Sequence, residues 1–219
     1  MPPVSRILMT ADTVGGVWTY ALELARALAE RRVEVHIATM GAPVTADQRR
    51  AAAAVRGAVL HESAYRLEWM ENAWDDVWRA GDWLLDLERT LRPDVVHLNG
   101  YTHAVLPWAA PVLVAGHSCV LSWWRAVKGE DAPPAWDRYR RAVAAGLQAA
   151  DVVVAPTGAM LDALAGHYGP LRDGRVIPNG RDSRTFRAVE KEEFILGAGR
   201  LWDEAKNLAV LDACAAGLP

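Results

Sequence analysis

Cysteine is scarce in this sequence. Cys119 and Cys214 are the whole complement, far apart and without metal-ligand spacing, which argues against a disulfide framework and a zinc cluster and suits a reducing compartment, the cytoplasm. Long apolar runs are missing too. The short run after Arg6 is broken by Asp12, which fits neither a secretory leader nor a membrane span. Positive charge is not in excess either, and a net charge of −3 gives no global electrostatic reason to expect nucleic acid as a partner. The fingerprint G-x-G-x-x-G of dinucleotide sites and the Gly-Lys-Ser/Thr ending of a P-loop are both absent, so neither a nicotinamide cofactor nor a kinase-like site is indicated. No internal repeat or low-complexity stretch interrupts the chain.

What is present is an α/β alternation. With 219 residues, 52% hydrophobic and 23% charged, the chain has material for one sizeable domain or one and a fraction. Ile7-Leu8-Met9 reads as a strand that runs into Asp12-Thr13-Val14-Gly15-Gly16 and then into a helix. Val17, Ala21, Leu24, Ala25 and Leu28 fall on one face of that helix, and Glu23, Arg26 and Glu30 on the other. Residues 33–38 form the next strand, completing a right-handed βαβ unit with its glycine loop at the carboxyl edge of the sheet, where open α/β folds bind ligands. Gly15 and Gly16 let backbone amides approach an anion at the positive end of the helix. A tight βα turn explains the same pair.

Further along, residues 46–55 read as a short helix, 58–60 as a small strand and 68–91 as a long helix. Met70, Trp74, Val77, Trp78, Leu84, Leu85 and Leu91 lie near one face of the long helix as core. Arg92-Pro93 stops it. Strands follow at 94–98 and 112–115, the latter ending in Gly116-His117-Ser118 on the same edge as the glycine pair. Residues 119–134, with Trp123-Trp124-Arg125 and Pro133-Pro134, read as a loop walling a cleft. A helix at 135–149, a strand at 151–154, a helix from Pro156-Thr157 to about His167 and a strand at Val176-Ile177 complete a domain at residues 1–178. Pro178-Asn179-Gly180 opens a polar linker at 179–193. At 194–219 a new unit begins, with a strand at 194–199 and a helix at 205–216. One strand and one helix bury too little apolar surface to stand alone, so the sequence is expected to be cut off within this second unit.

Three features converge on one resemblance: the seven-strand order opened by strand, Gly15-Gly16 and helix; the Pro178-Asn179-Gly180-Arg181-Asp182 turn with Phe186 downstream; and Gly199-Arg200-Leu201 with Lys206-Asn207 six and seven residues after the arginine. The chain resembles the retaining, nucleotide-sugar-dependent glycosyltransferases of the GT-B class, in the family of sucrose-synthase-like and mannosyltransferase-like enzymes. The resemblance implies an α/β fold, a Rossmann-like doubly wound parallel sheet as the acceptor-side domain, followed by an incomplete second Rossmann-like domain that binds the nucleotide sugar. It implies that Arg200 and Lys206 bind the donor diphosphate, that Gly15 and Gly16 lie beside the donor phosphates and acceptor, and that His117 contacts the transferred sugar as the catalytic-site histidine. His97 and His103 are expected to be structural. No metal and no cofactor is implied.

Two departures stand out. Arg181 occupies a position that is usually apolar in the family's Pro-Asn-Gly motif, and the family's glutamate pair, which holds donor sugar and ribose, would lie beyond Pro219. The implied reaction is sugar transfer from a nucleoside-diphosphate donor to an acceptor hydroxyl with retention, the leaving phosphate taking the acceptor proton. The isolated chain is expected to have little or no activity. The acceptor, whether sugar, lipid or small molecule, is not readable. Trp123, Trp124 and Trp136 with Arg138, Arg140 and Arg141 leave a peripheral membrane contact open beside a cleft wall. A nucleotide-sugar epimerase of the same architecture and a non-catalytic acceptor- or partner-binding domain are the alternatives.

Overall fold

The computed structural model describes residues 3–201, 203–215 and 217. The apolar runs become seven strands: β1 (Arg6–Asp12), β2 (Glu34–Met40), β3 (Ala58–His61), β4 (Val95–Leu98), β5 (Val112–Ala115), β6 (Val152–Ala155) and β7 (Gly174–Val176). They pair in the order β3-β2-β1-β4-β5-β6-β7, parallel throughout. Parallel neighbours need crossovers, most of them supplied by α1 (Val17–Ala29), α2 (Ala46–Ala53), α3 (Trp74–Leu91), α4 (Val120–Lys128), α5 (Asp137–Ala149) and α6 (Gly158–Tyr168). The chain starts at the centre, winds outward to β3 and returns to pair β4 with β1. The order therefore reverses between β1 and β4, and that switch point is where such sheets open a crevice at their carboxyl ends.

Alternation along the strands splits the core in two. On one face Ile7, Met9, Val35 and Ile37 pack against Trp18, Ala21, Leu22 and Ala25 of α1. On the other, Leu8 and Ala38 meet Leu84 of α3, while Val96, Val114 and Val153 meet Val143 and Leu147 of α5 and Leu164 of α6. The face that carries α1 is occupied beyond β4 by residues 177–184 rather than by a helix. A cleft of about 560 Å³ lies there, between α1, the exposed parts of β4 to β6 and that extended segment.

The structure differs from the sequence reading at four places. Residues 119–134 are not all loop, because α4 forms at Val120–Lys128, capped by the Cys119 thiol accepting from the Ser122 amide and stopped by Gly129 at φ 73°. A cysteine is not among the usual caps, which hid the start. The long helix begins at Trp74, not at 68, and its buried stripe is Val77, Ala80, Gly81, Leu84 and Glu88. Trp78 falls one position off that stripe and is 63% exposed. The Arg138 guanidinium lies 4.4 Å from the ring of Trp74 and 5.1 Å from that of Trp78.

The fourth difference is at 194–199, where no strand forms. Phe194, Ile195 and Leu196 are exposed, and a strand without neighbours leaves its ladder groups to water. The helix α7 (Leu208–Ala215) does form but buries none of its residues; Ala216, the last residue of the predicted helix, lies outside the described residues. Among the described residues no helix is long and apolar enough to cross a membrane.

Candidate functional site

At the carboxyl end of β1 the chain turns on Asp12. Its Oδ1 accepts the Val14 amide at 2.6 Å, and the Gly15 amide also donates to the carboxylate. Burial raises the Asp12 carboxyl above the usual range, opposed by those two amides and by the charge of Arg200. Asp12 and Gly15 are therefore in contact, and the charge of Arg200 acts on Asp12 from farther off. Gly16 precedes α1 with φ −68° and no side-chain cap, so the pair is not there to supply a left-handed backbone. A Cβ at Gly15 would stand 3.5 Å from the Asp12 carboxylate, and one at Gly16 would meet nothing within 4 Å. The glycines leave open space in front of the first turn of the helix, where amide dipoles favour negative charge.

Arg200 is bound to Asp203 by a 2.7 Å contact. Lys206 is drawn in through Asp203, whose carboxyl is held below its usual range first by the hydrogen bond from Arg200, with the charge of Lys206 a smaller contribution. Its side chain also folds over Gly199, where a Cβ would come within 2.9 Å of the lysine Cγ. Glu204 beside them accepts from Lys128 of α4 at 2.5 Å. Both cations are exposed.

His117 belongs to a second group. The Tyr20 ring, one turn beyond Gly16 on α1, meets the His117 ring edge-on at 4.5 Å between centroids. The Tyr20 hydroxyl stands 3.5 Å from His97 Nε2. Asn99, just past β4, presents its side-chain oxygen 2.8 Å from His117 Nε2. Asn99 is itself held to β1 by its amide nitrogen at 2.6 Å from the Thr10 carbonyl. Burial depresses His117 to about 4. Burial is also the first cause for His97, pushed to about 4 with help from the charge of His117 and some relief from Asn99. Both rings are neutral at physiological pH, and both line the 560 Å³ cleft with Tyr20. His103 differs: its Nε2 lies 2.9 Å from the Val77 carbonyl in a buried contact, a structural role.

The fold thus joins Gly15 to Asp12, on which the charge of Arg200 acts, ties Lys206 to Arg200 through Asp203, and sets His117 in a cluster with Tyr20, His97 and Asn99. Sequence reasoning missed Asp12, Tyr20 and Asn99. Asp12 reads as the end of an apolar run and Asn99-Gly100 as an ordinary turn; Tyr20 could have been found by its helical spacing from the glycine pair. The aromatic and basic residues at 123–141 have intramolecular partners: Trp124 and Trp136 pack against the core, and Arg140 lies 3.7 Å from Asp137.

Residues 14–184 match the model of Glycosyltransferase Family 4. No curated protein matches the chain. Among solved structures, the glycotransferase of kitacinnamycin is 19% identical with a TM-score of 0.55, over 87% of this chain and 56% of that one. A UDP-glucosyltransferase from Polygonum tinctorium is 12% identical with a TM-score of 0.56, over 87% and 55%. LpCGTa in complex with UDP is 16% identical with a TM-score of 0.55, over 82% and 55%. At such identities the likeness is one of fold, that of a GT-B glycosyltransferase, and the chain spans a little over half the length of these structures.

Proposed function

This chain belongs to Glycosyltransferase Family 4, and on that premise we propose that it provides the acceptor-side domain of a retaining transferase that moves a sugar from a nucleoside-diphosphate donor to an acceptor hydroxyl. The observation that carries the reading is the convergence on one sheet edge: a glycine pair open in front of α1, with Arg200 in electrostatic reach of the adjoining Asp12. Departure of a nucleoside diphosphate builds negative charge. Cations and amide dipoles already aimed at that charge stabilise it more in the transition state than in the ground state.

In this reading Arg200 and Lys206 meet the diphosphate, Gly15 and Gly16 let it approach the α1 amides, and His117 contacts the transferring sugar. The leaving phosphate takes the acceptor proton, so the chemistry calls for neither the two flanking carboxylates of glycosidases nor a divalent metal. Residues 1–178 form the acceptor-side domain, 179–193 the linker and 194–219 the opening of a donor-binding domain. That LpCGTa holds UDP makes a uridine nucleotide the first donor to test. Cytoplasmic placement follows from the paucity of cysteine.

The test is to titrate UDP, GDP and ADP, then their sugar conjugates, into isotopically labelled chain and follow backbone resonances. Shifts at Gly15, Gly16, Arg200 and Lys206 that weaken in Arg200→Ala and Lys206→Ala support the donor-site assignment. Resonances that no nucleotide moves, both in this chain and in one extended through a complete donor-binding domain, would remove it.

A further inference from the structure

Thr10, Asn99 and His117 form a chain of contacts that decides where the His117 proton sits. The Thr10 carbonyl can only accept, so the Asn99 atom 2.6 Å from it is the amide nitrogen, and the side-chain oxygen is the atom turned toward His117. Thr10 grips the residue a second time, its Oγ1 accepting the Asn99 backbone amide at 2.9 Å. The side-chain oxygen of asparagine can only accept as well, so His117 Nε2, 2.8 Å away, carries the hydrogen. A neutral imidazole has one N–H, and once it is on Nε2 the other nitrogen, Nδ1, is an acceptor. Tyr20, in edge contact with the imidazole, opposes a ring flip that would exchange the two sides.

We propose that Asn99 is a positioning residue that locks His117 in its Nε2–H tautomer, so that Nδ1 offers a lone pair to a hydroxyl of the transferring sugar. The tautomer half of this proposal rests on hydrogen-bond geometry together with the burial that keeps the ring neutral; the sugar half rests on the transferase reading above. A neutral acceptor suits the position chemically. It rewards a ligand that donates a hydrogen bond there, and it adds no cation to compete with Arg200 and Lys206 for the diphosphate. Without Asn99 the imidazole is free to carry its proton on either nitrogen, and on Nδ1 it opposes the sugar hydroxyl's hydrogen.

Long-range proton–nitrogen NMR of the histidine rings in the intact chain at neutral pH separates the two tautomers. The expected wild-type spectrum has His117 as a single Nε2–H form, and Asn99→Ala, folded by circular dichroism, changes it to an exchanging mixture. A wild-type ring protonated at Nδ1 overturns the proposal without any variant. So does an Asn99→Ala ring that keeps the Nε2–H form unaltered. With the tautomer established, a chain extended through a complete donor-binding domain that binds a sugar nucleotide without moving the His117 Nδ1 resonance sinks the sugar half and leaves the positioning half standing, whereas no binding at all counts against the transferase reading.

Discussion

Gly146 of α5 runs directly beneath the carbonyl of Tyr101, so close that a Cβ on the glycine would overlap the carbonyl oxygen and carbon. This contact lets α5 seat against the 3-10 turn at Thr102–Val105 that leads from β4 to β5. The obstructing atoms are backbone and cannot rotate aside. Gly146→Ala is expected to destabilise the chain by about 1–3 kcal/mol as an overpacking change. Gly166→Ala on α6, where a Cβ meets nothing within 4 Å, is the matched control. Urea unfolding of the two variants checks the difference.

Gly16 is the opposite case. A side chain there has space and no backbone penalty, so Gly16→Ala should hold stability to within about 0.5 kcal/mol. Yet in the proposed transferase reading its methyl would stand where the ligand meets the helix terminus, and nucleotide or acceptor binding should weaken about tenfold or more. Thermal melts alongside titration calorimetry separate the two effects. A variant that melts as wild type and binds as wild type would remove Gly16 from the site.

Glu68 is buried, and its carboxylate accepts the Tyr101 amide at 3.0 Å and the Thr102 amide at 2.9 Å, with the Thr102 hydroxyl as a further donor. Removing the acceptor strands several buried donors at once. Glu68→Ala is expected to cost about 3 kcal/mol, whereas Glu71→Ala on the exposed turn nearby should change stability by about 0.5 kcal/mol or less. Chemical denaturation of both variants measures the contrast.

Acid should weaken the folded state through two buried imidazoles. His97 and His117 are both pushed to about 4, chiefly by burial, against about 6.5 in an unfolded chain. The unfolded state therefore binds more protons below pH 6.5. The stability associated with these groups is fully present above that pH and is lost as pH falls from 6.5 toward 4, by about 3 kcal/mol per ring at most. Equilibrium unfolding at pH 7.5, 6 and 5 tests this, with His97→Asn expected to flatten the profile. A flat wild-type profile would contradict it.

Much of the fold was legible because period and punctuation agreed. Alternating strand residues such as Ile7 and Met9 against Leu8, the Arg92-Pro93 stop and the glycine loop after β1 all carry local physical meaning. Arg92 indeed takes a left-handed conformation at φ 49° just after α3. The start of α4 was illegible because a thiol serves as its cap. Trp78 misled because an aromatic residue at nearly the right spacing reads as core, while its real partner, Arg138, lies 60 positions away in sequence. Of the site, the glycine pair and His117 could be placed on one edge by topology. Asn99 and Asp12 could not, because their significance lies in which atoms they face.

The two bonds joining Thr10 to Asn99 span 89 residues, and they cross the seam where β1 meets β4. Every residue between them belongs to the outward excursion through β2 and β3 and back. Closing so long a loop is the non-local event that parallel topologies place late in folding. His117 is oriented only after that seam has zipped shut, so a chain with its β1–β3 half folded and β4 undocked holds a formed glycine loop and an unoriented imidazole. The Asn99–His117 contact therefore serves as a reporter of native assembly. In a refolding experiment its appearance should track the slowest productive phase, after the helical signal of α1 has already returned.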